Sequence, residues 1–229
     1  MEPSVGCPGV RHNVSHIGRA ALALVLAFAA EAASAQFFVP WTRSPTVAVV
    51  ANGDDPRIVL VEEAIVFWNK TLEEGRSGFR LAAPTQVDQP IPEGALQSLS
   101  RSIVGVRGGG GPWIPQALRK LPGDLTIFLA HSEFVSFAGP FDDGRRVVGI
   151  RGLAFAPMNL PNVARNVIAH EIGHAIGLGH NADPTLLMCG RPAPCRPGEF
   201  RSDESRMFPL SADEKQQLLG MYPPDWKPR

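Results

Sequence analysis

The stretch AHEIGHAIGLGH, Ala169 to His180, places three of the chain's six histidines at intervals of four and then six residues. An α-helix turns once in about 3.6 residues, so His170 and His174 fall on one face, about 5–6 Å apart at Cβ. Two imidazoles at that separation can share one metal ion. Glu171 follows the first histidine and lies to the side of the same face, within reach of a water on the metal without being a ligand. Gly177 and Gly179 are expected to end the helix, because glycine takes the positive φ that reverses a chain. The reversal returns His180 as a third nitrogen ligand, which a continuing helix would carry away.

Three neutral nitrogens leave a zinc ion its full charge and one open position. Such an ion lowers the pKa of water to about 7, and Glu171 would take the proton as water attacks a carbonyl and deliver it to the departing amine. H-E-x-x-H alone recurs by accident in helices, whereas the longer H-E-x-x-H-x-x-G-x-x-H also requires Gly177 and His180 in place. Two plainer readings compete: a core helix with solvated histidines, and a structural zinc site. The latter would want a fourth Cys or His, and none is nearby in sequence.

With these residues the chain resembles the metzincin metallopeptidases, and within them the matrixin-like group. HEIGHAIGLGH fits that zinc signature at every fixed position, and DPTLLMCG (Asp183 to Gly190) stands where the family has its Met-turn. The resemblance implies His170, His174 and His180 as ligands of one catalytic zinc, Glu171 as general base, and Met188 as a hydrophobic floor beneath the metal. It implies a protein or peptide substrate extended along an edge strand near Arg151 to Ala156, with Gly152, Leu153, Ala154 and Phe155 as its contacts. The fold it implies is a single α+β domain: a twisted, mostly parallel sheet with an antiparallel edge strand, a helix carrying the zinc motif, and a C-terminal helix. DPRIVLVEEAIVFWN, GLAFAP and LSADEKQQLLGMYP extend the likeness to the first helix, the strand before the site helix and the last helix. The chain departs from the family in four places. The segment after Met188, which would form the wall of the pocket beside the zinc, holds Cys189, Cys195 and three prolines. His131 alone lies between the third strand and the site helix, so a second, structural zinc is not expected. Gly190 stands where some metzincins carry a tyrosine, and Cys7 lies too early to block the metal from a pro-domain. The function implied is a secreted zinc endopeptidase. A catalytically weak relative kept as a protein-binding module is the alternative, and the intact Glu171 stands against it. A hydrolase of non-peptide amides would share the same spacing.

Upstream, TVAVVA (Thr46 to Ala51) reads as a strand and NGDDP as a turn into a helix, with Asp55 as cap and Pro56 at its first position. Ile58, Val61, Ile65, Trp68 and Leu72 then recur at helical spacing. GFRLAA (Gly78 to Ala83) reads as a second strand. Pro84 to Gly123 reads as long loops around a short apolar piece near Leu96 to Val106, and GGGGPW lacks the Lys-Ser/Thr ending of a phosphate loop. DLTIFLA (Asp124 to Ala130) is a buried strand by its β-branched content, and VVGIRGLAFAP (Val147 to Pro157) supplies one or two more. Asp142 and Asp143 are either a calcium pair or a charged turn. Asn69-Lys70-Thr71 is either a glycosylation acceptor or ordinary helix sequence. Ser211 and Glu214 have capping-box spacing at the head of the last helix.

The first 35 residues order Arg11, His12, His16 and Arg19, an apolar run from Ala20 to Ala30, and Ala33-Ser34-Ala35. That is the order of a cleaved signal peptide, and the run falls short of the about 20 residues a bilayer span needs. The expectation is a catalytic domain of residues 36–229, secreted or periplasmic. Cys189 and Cys195 then remain, either bridged across CGRPAPC or as two free thiols. The 22 basic and 22 acidic residues balance, which gives no reason to expect nucleic acid or a membrane surface as partner; a monomer is expected.

Overall fold

The computed structural model describes residues 39–105, 114–140, 144–191 and 193–229. Its centre is a five-stranded sheet of β1 (Val47–Val50), β2 (Pro84–Val87), β3 (Leu125–Leu129), β4 (Phe137–Pro140) and β5 (Arg146–Ile150), in the order β2-β1-β3-β5-β4. β1, β3 and β5 are buried at every position, which is why they read as near-continuous apolar runs with no alternation. All pairs are parallel except β4 with β5, where Phe137 faces Gly149. The Phe137 ring lies so close over that glycine that a Cβ there would stand 2.6 Å from it, so the pair fixes the register of the edge.

Helices cover both faces. On one, α1 (Arg57–Glu74) and α3 (Pro161–Ala175) pack together with Val47, Val49, Ile127 and Val148. On the other, α2 (Glu93–Gly105) lays Leu96 and Leu99 against Val50, Phe128 and Val147. The C-terminal helix α4 (Ala212–Met221) starts with the capping box: Ser211 Oγ accepts from the Glu214 amide and Glu214 Oε2 from the Ser211 amide. The fold is thus a mixed α/β domain with a mostly parallel sheet, an antiparallel edge strand, a histidine-bearing helix and a C-terminal helix. Among the described residues no helix is long and apolar enough to cross a membrane.

Three segments differ from expectation. Gly78 to Ala83 is extended but is not a strand, because its backbone bonds go elsewhere. Asn69 accepts from the Leu81 amide (2.9 Å) and donates to its carbonyl (3.0 Å), while Phe79 and Leu81 enter the core. The second strand is therefore β2, directly after it, and the Asn69 amide is committed to this clamp. The apolar piece within Pro84 to Gly123 is the helix α2. The edge strand is β4, and Gly152, Leu153, Ala154 and Phe155 form the turn that follows β5. Residues 1–38, which include Cys7 and the expected signal peptide, lie outside the described residues, as do GGGGPW and the pair Asp142 and Asp143.

Trp68 joins the helical layer together. It is fully buried, its indole N–H donates to the Ala169 carbonyl (3.0 Å), and its ring edge lies where a Cβ on Gly173 would come within 2.8 Å. Trp68→Ala is expected to cost about 3–5 kcal/mol of stability, measured by urea unfolding, since it leaves a cavity between α1 and α3 and removes the indole hydrogen bond that ties them.

Candidate metal centre

α3 carries His170 and His174 one turn apart, and both rings turn toward the chain that follows the helix. The helix ends at Ala175, where Gly177 adopts φ +112°, the Gly177 amide bonds the His174 carbonyl (2.9 Å) and the Leu178 amide bonds that of Gly173 (3.0 Å). This pair of bonds is a Schellman reversal, with glycine where a side chain would be strained. Gly177 performs it alone; Gly179 has no positive φ. The reversal swings His180 back over the helix face.

The three Nε2 atoms converge. They stand 3.0 Å apart for His170 and His174, 2.9 Å for His174 and His180, and 3.3 Å for His170 and His180. A zinc ion with nitrogens at about 2.0–2.1 Å in tetrahedral arrangement spaces them about 3.3 Å apart, so the triangle fits. Each ring is held from behind by a main-chain carbonyl: His170 Nδ1 donates to Leu187 (2.7 Å), His174 Nδ1 to Leu178 (2.7 Å) and His180 Nδ1 to Arg191 (2.9 Å). With Nδ1 carrying the proton, each Nε2 keeps its lone pair for a metal, and three lone pairs face one point. Among the described residues, this is the grouping of His, Cys, Asp or Glu side chains with the spacing to hold an ion.

Burial sets the charge states. It draws His170 down to about 4, aided by the neighbouring His180 and opposed by the bond to Leu187. Burial first, then the two other histidines, holds His174 well below the usual imidazole range, and burial likewise lowers His180. Glu171, buried beside them, is pushed up to about 8 by desolvation, against a backbone hydrogen bond from Ala138 of β4. The site therefore presents neutral imidazoles, as metal binding requires, and a carboxyl with high proton affinity.

The signs of these shifts predict the pH dependence of the metal-free chain. His170, depressed from 6.5 to about 4, supports stability that is present above pH 6.5 and lost as pH falls toward 4. Glu171, raised from 4.5 to about 8, supports stability that is full below pH 4.5 and lost as pH rises through 8. Three histidines oppose one carboxyl below pH 6.5, so urea midpoints in chelator are expected to peak near pH 6.5, falling steeply on the acid side and more gently toward pH 8. A midpoint unchanged from pH 6.5 to 4.5 would contradict the neutral histidine cluster.

Of the other residues singled out, Met188 is fully buried under α3, its sulfur 2.6 Å from where a Cβ on Gly173 would stand. Cys189 and Cys195 form a disulfide, with Cα atoms 5.9 Å apart. Leu153 and Ala154 line a separate cavity at the carboxyl ends of β1 and β3, of about 390 Å³, together with Asn52, Asp54 and His131. The polar groups there largely satisfy one another, Asp55 with Arg57 (2.6 Å) and His131 with Asn52 (3.1 Å). What the sequence did not reveal are the three carbonyls behind the histidines, because a main-chain oxygen has no residue signature.

No protein-family model matches the chain, and no curated protein matches it significantly. Among solved structures it is similar to the archaemetzincin of Methanopyrus kandleri, 17% identical, over 79% of this chain and 96% of that one, with a TM-score of 0.44. At that overlap no residue role transfers, and the chemistry rests on the atoms of this chain.

Proposed function

We propose that this chain is a zinc-dependent endopeptidase of the metzincin type, in its matrixin-like form, acting outside the cytoplasm on protein or peptide substrates. The observation that carries the proposal is the convergence of three imidazole lone pairs, each ring backed by a main-chain carbonyl, with a buried glutamate beside them on α3. Zinc bound to His170, His174 and His180 would polarise a substrate carbonyl and make hydroxide available near neutral pH. The residues of the chain supply the rest. The carbonyls of Leu187, Leu178 and Arg191 hold the rings in one tautomer, and Met188 closes the floor beneath them. Glu171 accepts the proton of the attacking water and passes it to the departing amine.

The substrate path follows the edge. β4 pairs with β5 on one side only among the described residues, and its Ala138 touches Glu171. A peptide added as a further strand beside Phe137–Pro140 would pass the carboxyl, with main-chain bonds for affinity. The turn at Gly152 to Phe155 would then border this path at most. The order of the first 35 residues and the disulfide both support export to an oxidising compartment.

The test pairs metal content with cleavage of an unstructured protein by residues 36–229. About one zinc per chain is expected, with cleavage abolished by chelator and restored by added zinc. A chain that folds yet takes up no zinc would overturn the proposal.

A further inference from the structure

His180 is held differently from the other two histidines. The carbonyls behind His170 and His174 belong to Leu187 and Leu178, both buried at 1% exposure or less. The carbonyl behind His180 belongs to Arg191, an exposed residue inside the ring closed by Cys189 and Cys195. Gly190, in the same ring, carries the flat of the His180 imidazole: a Cβ there would lie 2.1 Å from Cδ2 and 2.3 Å from Nε2. The segment Met188–Gly190 runs beside His180 and Asn181, bonded from the Asn181 amide to the Met188 carbonyl (2.9 Å) and from the Gly190 amide to the Asn181 carbonyl (3.2 Å). Cys189 is buried and anchors one end of the ring to the core, while the bond to Cys195 draws the far end back over it.

We propose that the Cys189–Cys195 disulfide is a positioning element for His180, so that the zinc affinity of the three-histidine site is high when this ring is oxidised and low when it is reduced. The inference rests on the metal-site reading above. A ring with a sequence separation of 6 also fixes the local geometry of the segment it closes, which carries Gly190 and Arg191. Opening it frees the far end of the loop that carries the Arg191 carbonyl, so His180 loses its tautomer lock, while Gly190 stays tied to Asn181. Loss of such an outer contact typically weakens metal binding about 10–100-fold. In a reducing compartment the chain would stay metal-poor, and thiol–disulfide exchange with an oxidised dithiol protein, which takes up the two electrons and two protons of Cys189 and Cys195 as its own disulfide is reduced, would complete the site.

The test measures zinc affinity by competition with a chromophoric chelator for the wild-type chain, Cys189→Ser/Cys195→Ser, His180→Ala and the triple variant, with the visible spectrum of the cobalt(II) form of each. Expected are an affinity loss of about 10–100-fold on removing the disulfide and a weakened cobalt spectrum. In the His180→Ala background, the same removal should change neither. Equal affinity with and without the disulfide would overturn the inference, as would a loss of the same size in the His180→Ala background, which marks a merely structural effect. Failure of the oxidised wild type to bind zinc would instead sink the metal-site reading itself. Should the serine variant not fold, the wild type reduced by a water-soluble phosphine and capped with iodoacetamide replaces it. There the S–S bond breaks to two thiols, water supplies their hydrogens and the oxygen of the phosphine oxide, and the caps keep sulfur from the metal.

Discussion

Glu171→Gln is expected to lower peptide cleavage by about 10²–10⁴-fold or more while leaving zinc stoichiometry unchanged. The two halves of that result have separate causes. The three nitrogens that hold the ion come from His170, His174 and His180, and the carboxyl is not among them, so the amide leaves the metal site as it was. Glutamine matches glutamate in shape and keeps an oxygen for the Ala138 hydrogen bond, so α3 and β4 need not move. What it lacks is the capacity to take a proton. Desolvation raises the proton affinity of Glu171, and the positive charge of an ion would lower it again, which leaves the carboxyl poised between the two states. The variant carries a second signature. Above pH 8 the metal-free wild type bears the cost of a buried carboxylate and the amide does not, so Glu171→Gln should then be the more stable of the two by urea midpoint. Cleavage at the wild-type rate with zinc in place would remove Glu171 from the mechanism.

Much of this site was legible because it is local. Histidines four apart on a helix and a glycine three after the second determine their own geometry through helix periodicity and one positive φ. The apolar runs of β1, β3 and β5 were legible for a similar reason, since strands covered on both faces need no alternation. The misreadings came from partners distant in sequence. Gly78 to Ala83 has the composition of a strand, yet Asn69 on α1 takes its hydrogen bonds. The resemblance puts the edge near Arg151 to Ala156, whereas Phe137–Pro140 occupies it in a register set by Phe137 over Gly149. One signal was there: Pro140 lacks an N–H, which suits an edge strand better than an inner one. Helix α2 had a local signal, Leu96, Leu99 and Ile103 at helical spacing, but the Pro- and Gly-rich sequence on either side of it reads as loop.

Gly190→Ala is expected to lower zinc affinity by about 10–100-fold or more, and with it cleavage at limiting zinc, in a chain that still folds. The backbone does not demand glycine here, because the positive φ values fall on Gly53, Gly144 and Gly177 among the glycines and not on Gly190. The demand is steric. A methyl group at 190 would lie 2.1 to 2.6 Å from Cδ2, Nε2 and Cγ of His180, far inside contact distance, and the backbone beneath it is pinned by the bond from the Gly190 amide to Asn181. The ring must therefore give way. It pivots on Nδ1, which is tied to Arg191, and Nε2 leaves the point it shares with His170 and His174. Gly198→Ala is the matched control, since nothing lies within 4 Å of its added carbon, and it should bind zinc as the wild type does. If Gly190→Ala kept full affinity, the His180 ring would have to bind equally well from a second position, and the close fit between ring and glycine would not be what orients the third ligand.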